Sequence, residues 1–144
     1  MRHLATGRRL RNDSTLIENN EIAFNNYRKA YTMGWEAGGV KFLKSRGTTL
    51  RGNYVHDNQG PGLWADTDVW DALYENNRVE DNGGEGIFHE VSYRAVFRNN
   101  RVAGNGYGTY GWLYGAGIMV STSRDVLVVG NTVIDNARGI TAVM

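Results

Sequence analysis

Arg51-Gly-Asn-Tyr-Val-His-Asp-Asn-Gln-Gly-Pro-Gly-Leu-Trp64 contains the run Asn53–Asn58, two asparagines five positions apart with a β-branched residue between them. The pattern Asn-x-Val/Ile-x-x-Asn returns as Asn20-Glu-Ile-Ala-Phe-Asn25, Asn77-Arg-Val-Glu-Asp-Asn82, Asn100-Arg-Val-Ala-Gly-Asn105 and Asn131-Thr-Val-Ile-Asp-Asn136. Five copies in 144 residues make an internal repeat. A repeat of this kind decides architecture before any local propensity does.

Counted between first asparagines, the repeats are 33, 24, 23 and 31 residues long (20 to 53, 53 to 77, 77 to 100, 100 to 131). The extra length in the two long repeats falls at the same place, after the second asparagine. It occupies residues 26–38 in one and 106–116 in the other. With these insertions removed, each unit is a single period of roughly two dozen residues.

Within a period the apolar positions alternate. Ile17, Leu50, Tyr74, Phe97 and Val128 stand three residues before the first asparagine, and Thr15, Thr48, Ala72, Ala95 and Val126 five before. Ile22, Val55, Val79, Val102 and Val133 stand two after. A period of two means strands, with these columns facing inward. A glycine then opens a further strand at Gly39-Val40, Gly62-Leu63, Gly86-Ile87, Gly117-Ile118 and Gly139-Ile140. Helical periodicity is missing everywhere except, marginally, in Tyr27–Ala37.

Short strands recurring with one inward set predict an all-β coil in which each turn stacks in parallel on the last. Val/Ile columns then fill the core, and asparagines form side-chain ladders. Asparagine suits the turns because it tolerates left-handed φ, and its amide donates to one coil while accepting from the other. The ten repeated asparagines are thus structural rather than a site.

This repeat resembles that of the right-handed parallel β-helix family, the pectate-lyase-like superfold, over about residues 14–144. The resemblance implies one solenoid domain over 1–144, of about five to six short coils, with 1–13 irregular or a partial first coil and two aromatic loop insertions. That fold hosts lyases, epimerases, hydrolases and adhesive proteins, so it implies function only weakly. Family members are usually longer and begin with a capping helix. Here no cap is legible and Met144 falls within a strand, so a fragment, or ends covered by another copy, is expected.

Hydrophobic content of 41% and charged content of 22% belong to a globular chain. A net charge of +1 argues against nucleic acid, and the basic group Arg2, Arg8, Arg9 and Arg11 reads as a solvated terminus. The absence of cysteine excludes disulfides and Cys-based zinc sites. No apolar run reaches membrane length, so no membrane partner is expected. Location is extracellular or periplasmic if a leader was removed, otherwise cytoplasmic. Phosphate-cradling, zinc-protease and serine-nucleophile motifs are absent.

Chemistry is expected where the repeat breaks, in the strands after Gly62-Leu63 and Gly86-Ile87. These bring Trp64, Asp66 and Asp68 beside Phe88, Glu90, Ser92, Tyr93 and Arg94, with Lys41 and Lys44 one coil earlier. Asp66 and Glu90 share a column, so about 4.8 Å separates their strands. Two such carboxylates repel, which raises the pKa of one and makes an acid/base pair, a retaining-glycosidase pair or, with Asp68, a Ca²⁺ site. The competing reading is that Arg94 or Lys44 neutralises a surface column. His89 falls in an inward column with Phe42, Ala65, Val120 and Ala142, where a satisfied core histidine is the plainer account. His56 reads as outer-face decoration, and His3 lies in the unassigned terminus.

The insertions flank this cluster and are aromatic: Tyr27, Tyr31 and Trp35 in one, Tyr107, Tyr110, Trp112 and Tyr114 in the other. With Trp64 and Phe88 as a floor, they predict a groove over the second and third coils that stacks on sugar rings. They would equally serve as covers over the coil or as a subunit interface. The first expectation is therefore binding of, or action on, an acidic or neutral polysaccharide or oligosaccharide by lyase-, epimerase- or hydrolase-like chemistry. Asp66, Glu90, His89 and Tyr93 are its catalytic candidates. Trp64, Asp68, Phe88, Arg94, Lys41, Trp35, Tyr110 and Trp112 are its substrate contacts. The second is a non-catalytic module that forms a homo-oligomer through open coil ends and aromatic loops.

Overall fold

The computed structural model describes residues 12–108 and 111–144. They form seventeen strands and no helix, in three all-parallel sheets that run as the three faces of a coil. The first face holds seven strands: Asn12–Asp13, Leu16–Glu18, Ser45–Arg46, Thr49–Arg51, Trp70–Glu75, Tyr93–Arg98 and Arg124–Val129. The second holds Glu21–Ala23, Tyr54–His56, Arg78–Glu80, Arg101–Ala103 and Thr132–Ile134, and the third Val40–Phe42, Leu63–Asp66, Ile87–Glu90, Ala116–Ser121 and Arg138–Val143. Each face pairs a strand with its equivalent one repeat later, which is the parallel β-helix that the repeat predicts.

The register is the one read from the asparagine spacing. Ile17 pairs with Leu50, Leu50 with Tyr74, Tyr74 with Phe97 and Phe97 with Val128. Val55, Val79 and Val102 stack as neighbours on the second face, and Leu63, Ile87 and Ile118 on the third. All of these middle-coil residues are completely buried, while their equivalents in the first and last coils are only partly covered. Burying an aliphatic side chain of this size contributes about 2 kcal/mol, so the three central coils supply most of the hydrophobic stabilisation.

Both asparagine columns form continuous ladders. Asn53 accepts from the backbone N–H and the Nδ2 of Asn20, and donates both of its own to Asn77 Oδ1 at 3.0 Å. The series continues through Asn100 to Asn131. Asn25, Asn58, Asn82, Asn105 and Asn136 repeat it at the next corner. The expected left-handed backbone is displaced by one residue, however. It falls on the residue before each ladder asparagine: Asn19, Gly52, Asn76, Asn99 and Gly130 at one corner, and Phe24, Asp57, Asp81, Gly104 and Asp135 at the other. The preceding residue turns the chain, which leaves the ladder asparagine free to aim its amide along the stack.

At the third corner Ser92 and Ser123 repeat the device on a smaller scale, since Ser92 Oγ accepts from Val69 N–H and Ser123 Oγ from Ser92 N–H. The outer side of the first face carries an ion ladder in which Arg51 joins Glu18 to Glu75, and Arg98 binds Glu75 from the other side. Arg98 first and then Arg51 hold the Glu75 carboxyl below its usual range.

Three expectations need revision. The marginal helix in Tyr27–Ala37 is a series of turns closed by a bridge between Met33 and Ala37. His56 is buried rather than decorative. It stacks on Tyr54 and bonds to Asp57 at 2.7 Å and Glu21 at 3.1 Å, with the Asp57 bond foremost in raising its pKa. Of the irregular first coil, Asn12–Asp13 pairs with Ser45–Arg46, while the basic group at Arg2–Arg11 and His3 lie outside the described residues.

Candidate functional site

Asp66 and Glu90 are register partners on the third face, directly across from one another on adjacent strands. One position inward along the chain alternates to the core, so Ala65 and His89 point the other way and are completely buried. Trp64, Phe88 and Met119 are outward neighbours in a single column, with Lys41 before them.

Lys41 is the counter-ion of the acidic pair, in place of the expected Arg94 or Lys44. Its ammonium is 3.1 Å from Asp66 Oδ2, 3.5 Å from the centroid of the Trp64 ring, and donates to the Trp35 carbonyl at 2.6 Å. Trp64 is fixed in turn by donating Nε1–H to Glu90 Oε2 at 3.2 Å and by stacking on Phe88 at 5.4 Å. Thr67 donates its hydroxyl to Asp66 Oδ1. Burial raises the Glu90 pKa first, and the nearby Asp66 charge raises it further. Glu90 is therefore the member of the pair better placed to donate a proton.

The remaining sequence candidates divide. Tyr93 and Arg94 follow the left-handed corner at Val91 and belong to the first face. Tyr93 stacks on Trp70 at 4.0 Å, and Arg94 forms a two-pronged pair with Asp71. Neither reaches the acidic pair, because the corner turns their strand onto another sheet. Asp68 is also turned away and accepts from Trp70 Nε1–H at 2.7 Å. Among the described residues no three His, Asp or Glu side chains gather to hold a metal ion.

His89 is inside the coil. Its Nδ1 is 3.4 Å from the Tyr74 hydroxyl, its Nε2 has no partner, and burial lowers its pKa to about 4. A ring with no exposed surface cannot touch a substrate, which removes His89 from the catalytic candidates.

The aromatic walls exist, but the floor differs from expectation. Tyr27, Tyr31, Trp35, Tyr107 and Trp112 are more than half exposed. Tyr110 lies outside the described residues. Trp64 and Phe88 are only 3% and 2% exposed, because Lys41 covers one indole face and Tyr114 meets Phe88 edge-on. With Ala116 and Met119 they form a second apolar cluster outside the coil.

The two insertions converge over the short coils. Gly108 N–H donates to the Gly83 carbonyl, and a Cβ on Gly83 would stand 3.4 Å from Met33 Sδ. Gly106 permits the second loop to close. Its φ is +92°, and a Cβ there would meet the Gly115 carbonyl oxygen. Glu85, passed over in the sequence, fastens the same loop. It is buried, its Oε1 accepts from Gly115 N–H at 2.9 Å, and burial raises its pKa. The available signal was a carboxylate in a column shared with Gly38, Pro61, Ala116 and Arg138.

The family model for the right-handed β-helix region matches residues 4–133. The chain belongs to the right-handed β-helix family. Neither the curated proteins nor the solved structures compared with it include a match.

Proposed function

We propose that this β-helix binds a carbohydrate on the third face of its second and third coils, between the two aromatic insertions. The observation that carries the reading is the convergence of the two loops at Gly83, with exposed Trp35 and Trp112 on them, beside the Asp66–Glu90 pair. Exposed Trp and Tyr faces next to hydroxyl-binding carboxylates suit a sugar chain better than a compact hydrophobic ligand. If bond cleavage accompanies binding, Glu90 is the proton donor and Asp66 the base or electrostatic partner.

A panel of polysaccharides, followed by calorimetry and by absorbance of unsaturated products, tests this reading. Binding of at least one glycan is expected, with Asp66→Asn and Glu90→Gln each weakening it about tenfold or more. Absence of binding across the panel rejects it.

Self-association is a second reading, favoured by the direction of the ladders. In every link the earlier coil donates and the later one accepts. The exposed Asn20 and Asn25 therefore present side-chain acceptors at one end, and Asn131 and Asn136 present backbone donors at the other. These ends are complementary head to tail. Light scattering should then give a mass that grows with concentration, whereas a constant monomer mass excludes it.

A further inference from the structure

The ammonium of Lys41 is held by a complete set of partners. A lysine has three N–H donors, and the positions around Nζ are taken by a carboxylate oxygen of Asp66, the carbonyl of Trp35 and the face of Trp64. Trp64 and Asp66 have anchors of their own besides Lys41. Trp64 is pinned by Glu90 on its edge and by Phe88 on its far face, and Asp66 is held by Thr67. The lysine is the one member on a flexible stem, and its side chain remains partly exposed.

We propose that this box is a recognition site for the protonated amino group of a glycan, with Lys41 as its resident occupant. The proposal rests on the carbohydrate reading above and names its substrate class. Charge argues for it. Asp66 and Glu90 line the site and its one ammonium is already paired with Asp66, so a uronate meets no unpaired cation, whereas an incoming ammonium would replace Lys41 with no change in local charge. Geometry argues for it as well. The carbonyl closing the box belongs to Trp35, whose own indole is 72% exposed and offers a face for the adjoining sugar ring. An acidic or neutral polysaccharide, expected from sequence, has no cation to take the place of the ammonium between the π-face and the carboxylate. An amino sugar has one. Lys41 also explains why Trp64 is buried, since the occupied box hides the indole until a competing ammonium displaces the side chain.

The test compares the full chain with Lys41→Met, which keeps the apolar stem over Trp64 and removes the competing charge. Binding of a glucosamine hexamer, its N-acetylated counterpart and an oligogalacturonide is measured by calorimetry in mildly acidic buffer. Circular dichroism checks that each variant is folded. The expected results are binding of the glucosamine hexamer only, a gain of about tenfold or more in Lys41→Met, and loss in Asp66→Asn. Unchanged or weaker binding by Lys41→Met, persistence in Asp66→Asn, or equal binding of the N-acetylated hexamer overturns the proposal. Binding of neutral or acidic oligosaccharides alone overturns it while leaving the carbohydrate reading intact. Binding of no glycan at all overturns both.

Discussion

His89 is expected to remove about 3 kcal/mol of folding stability on acidification from pH 7 to pH 4, and replacing that single residue should abolish its contribution. The imidazole is buried among Tyr74, Phe97 and the apolar column of Ala65 and Val120, with its pKa lowered from 6.5 to about 4. The unfolded chain takes up a proton below pH 6.5, and the folded chain does not until about pH 4. Protons therefore favour unfolding throughout that window, stability falls as pH falls, and the effect levels off below it. His56 has the opposite sign. Its pKa is raised by Asp57 and Glu21, so its stabilisation is fully present below 6.5 and is lost as pH rises through the raised value. Glu85 and Glu90, both raised, also gain stability on acidification as pH falls through their raised values.

Urea titrations of His89→Leu against the parent isolate the imidazole. The pH dependence between 6.5 and 4 should flatten. At pH 7 the substitution removes the partnerless Nε2 but strands the Tyr74 hydroxyl, so net stability should change by no more than about 1 kcal/mol. Adding Tyr74→Phe removes the second orphan and should yield a protein about 1–2 kcal/mol more stable than the parent. An unchanged pH slope in His89→Leu would show that the loss resides in other groups.

The second large effect is expected from Asn82→Ala, at about 4 kcal/mol of destabilisation. Asn82 Oδ1 accepts from both the backbone and side chain of Asn58, while Nδ2 donates to Asn105 Oδ1 and to the carbonyls of Val55 and Glu80. Every one of these groups is buried, so truncation leaves donors and acceptors with no water to turn to. Asn136→Ala removes the same side chain from the last coil, where solvent reaches it, and should cost about 1 kcal/mol. Equal costs at the two positions, read from urea midpoints, would mean that the ladder acts locally and not through burial.

The fold was legible because its signal is one-dimensional. A fixed spacing between asparagines sets the register, and every strand pairing along the three faces follows from that one interval. The Asp66–Glu90 partnership was legible for the same reason. What the spacing does not carry is the direction of the chain past a corner. Thr67, Asp68 and Val91 all have left-handed backbone, so Asp68, Tyr93 and Arg94 leave the face on which alternation alone would place them. Nor does spacing say which outward side chain lies over its neighbour. Lys41 and Trp64 share a column in the sequence, but the cation–π contact depends on a loop carbonyl from Trp35 that no repeat predicts. Glu85 escaped notice because its partner is a backbone N–H thirty residues away, in the loop it secures.

The gradient of burial along the axis has a bearing on how the molecule opens. In a solenoid each coil is held only by its neighbours, so fraying begins at the ends and works inward. The coils that carry Asp66, Glu90 and Trp64 have fully buried cores of their own, whereas the first and last coils are only partly covered. The terminal turns can exchange their amides and re-form many times while the central turns stay closed. The Asp66–Glu90 pair is thus set on the part of the chain that opens last, whereas Lys41 and Trp35, which belong to the first coil, leave it when that end frays.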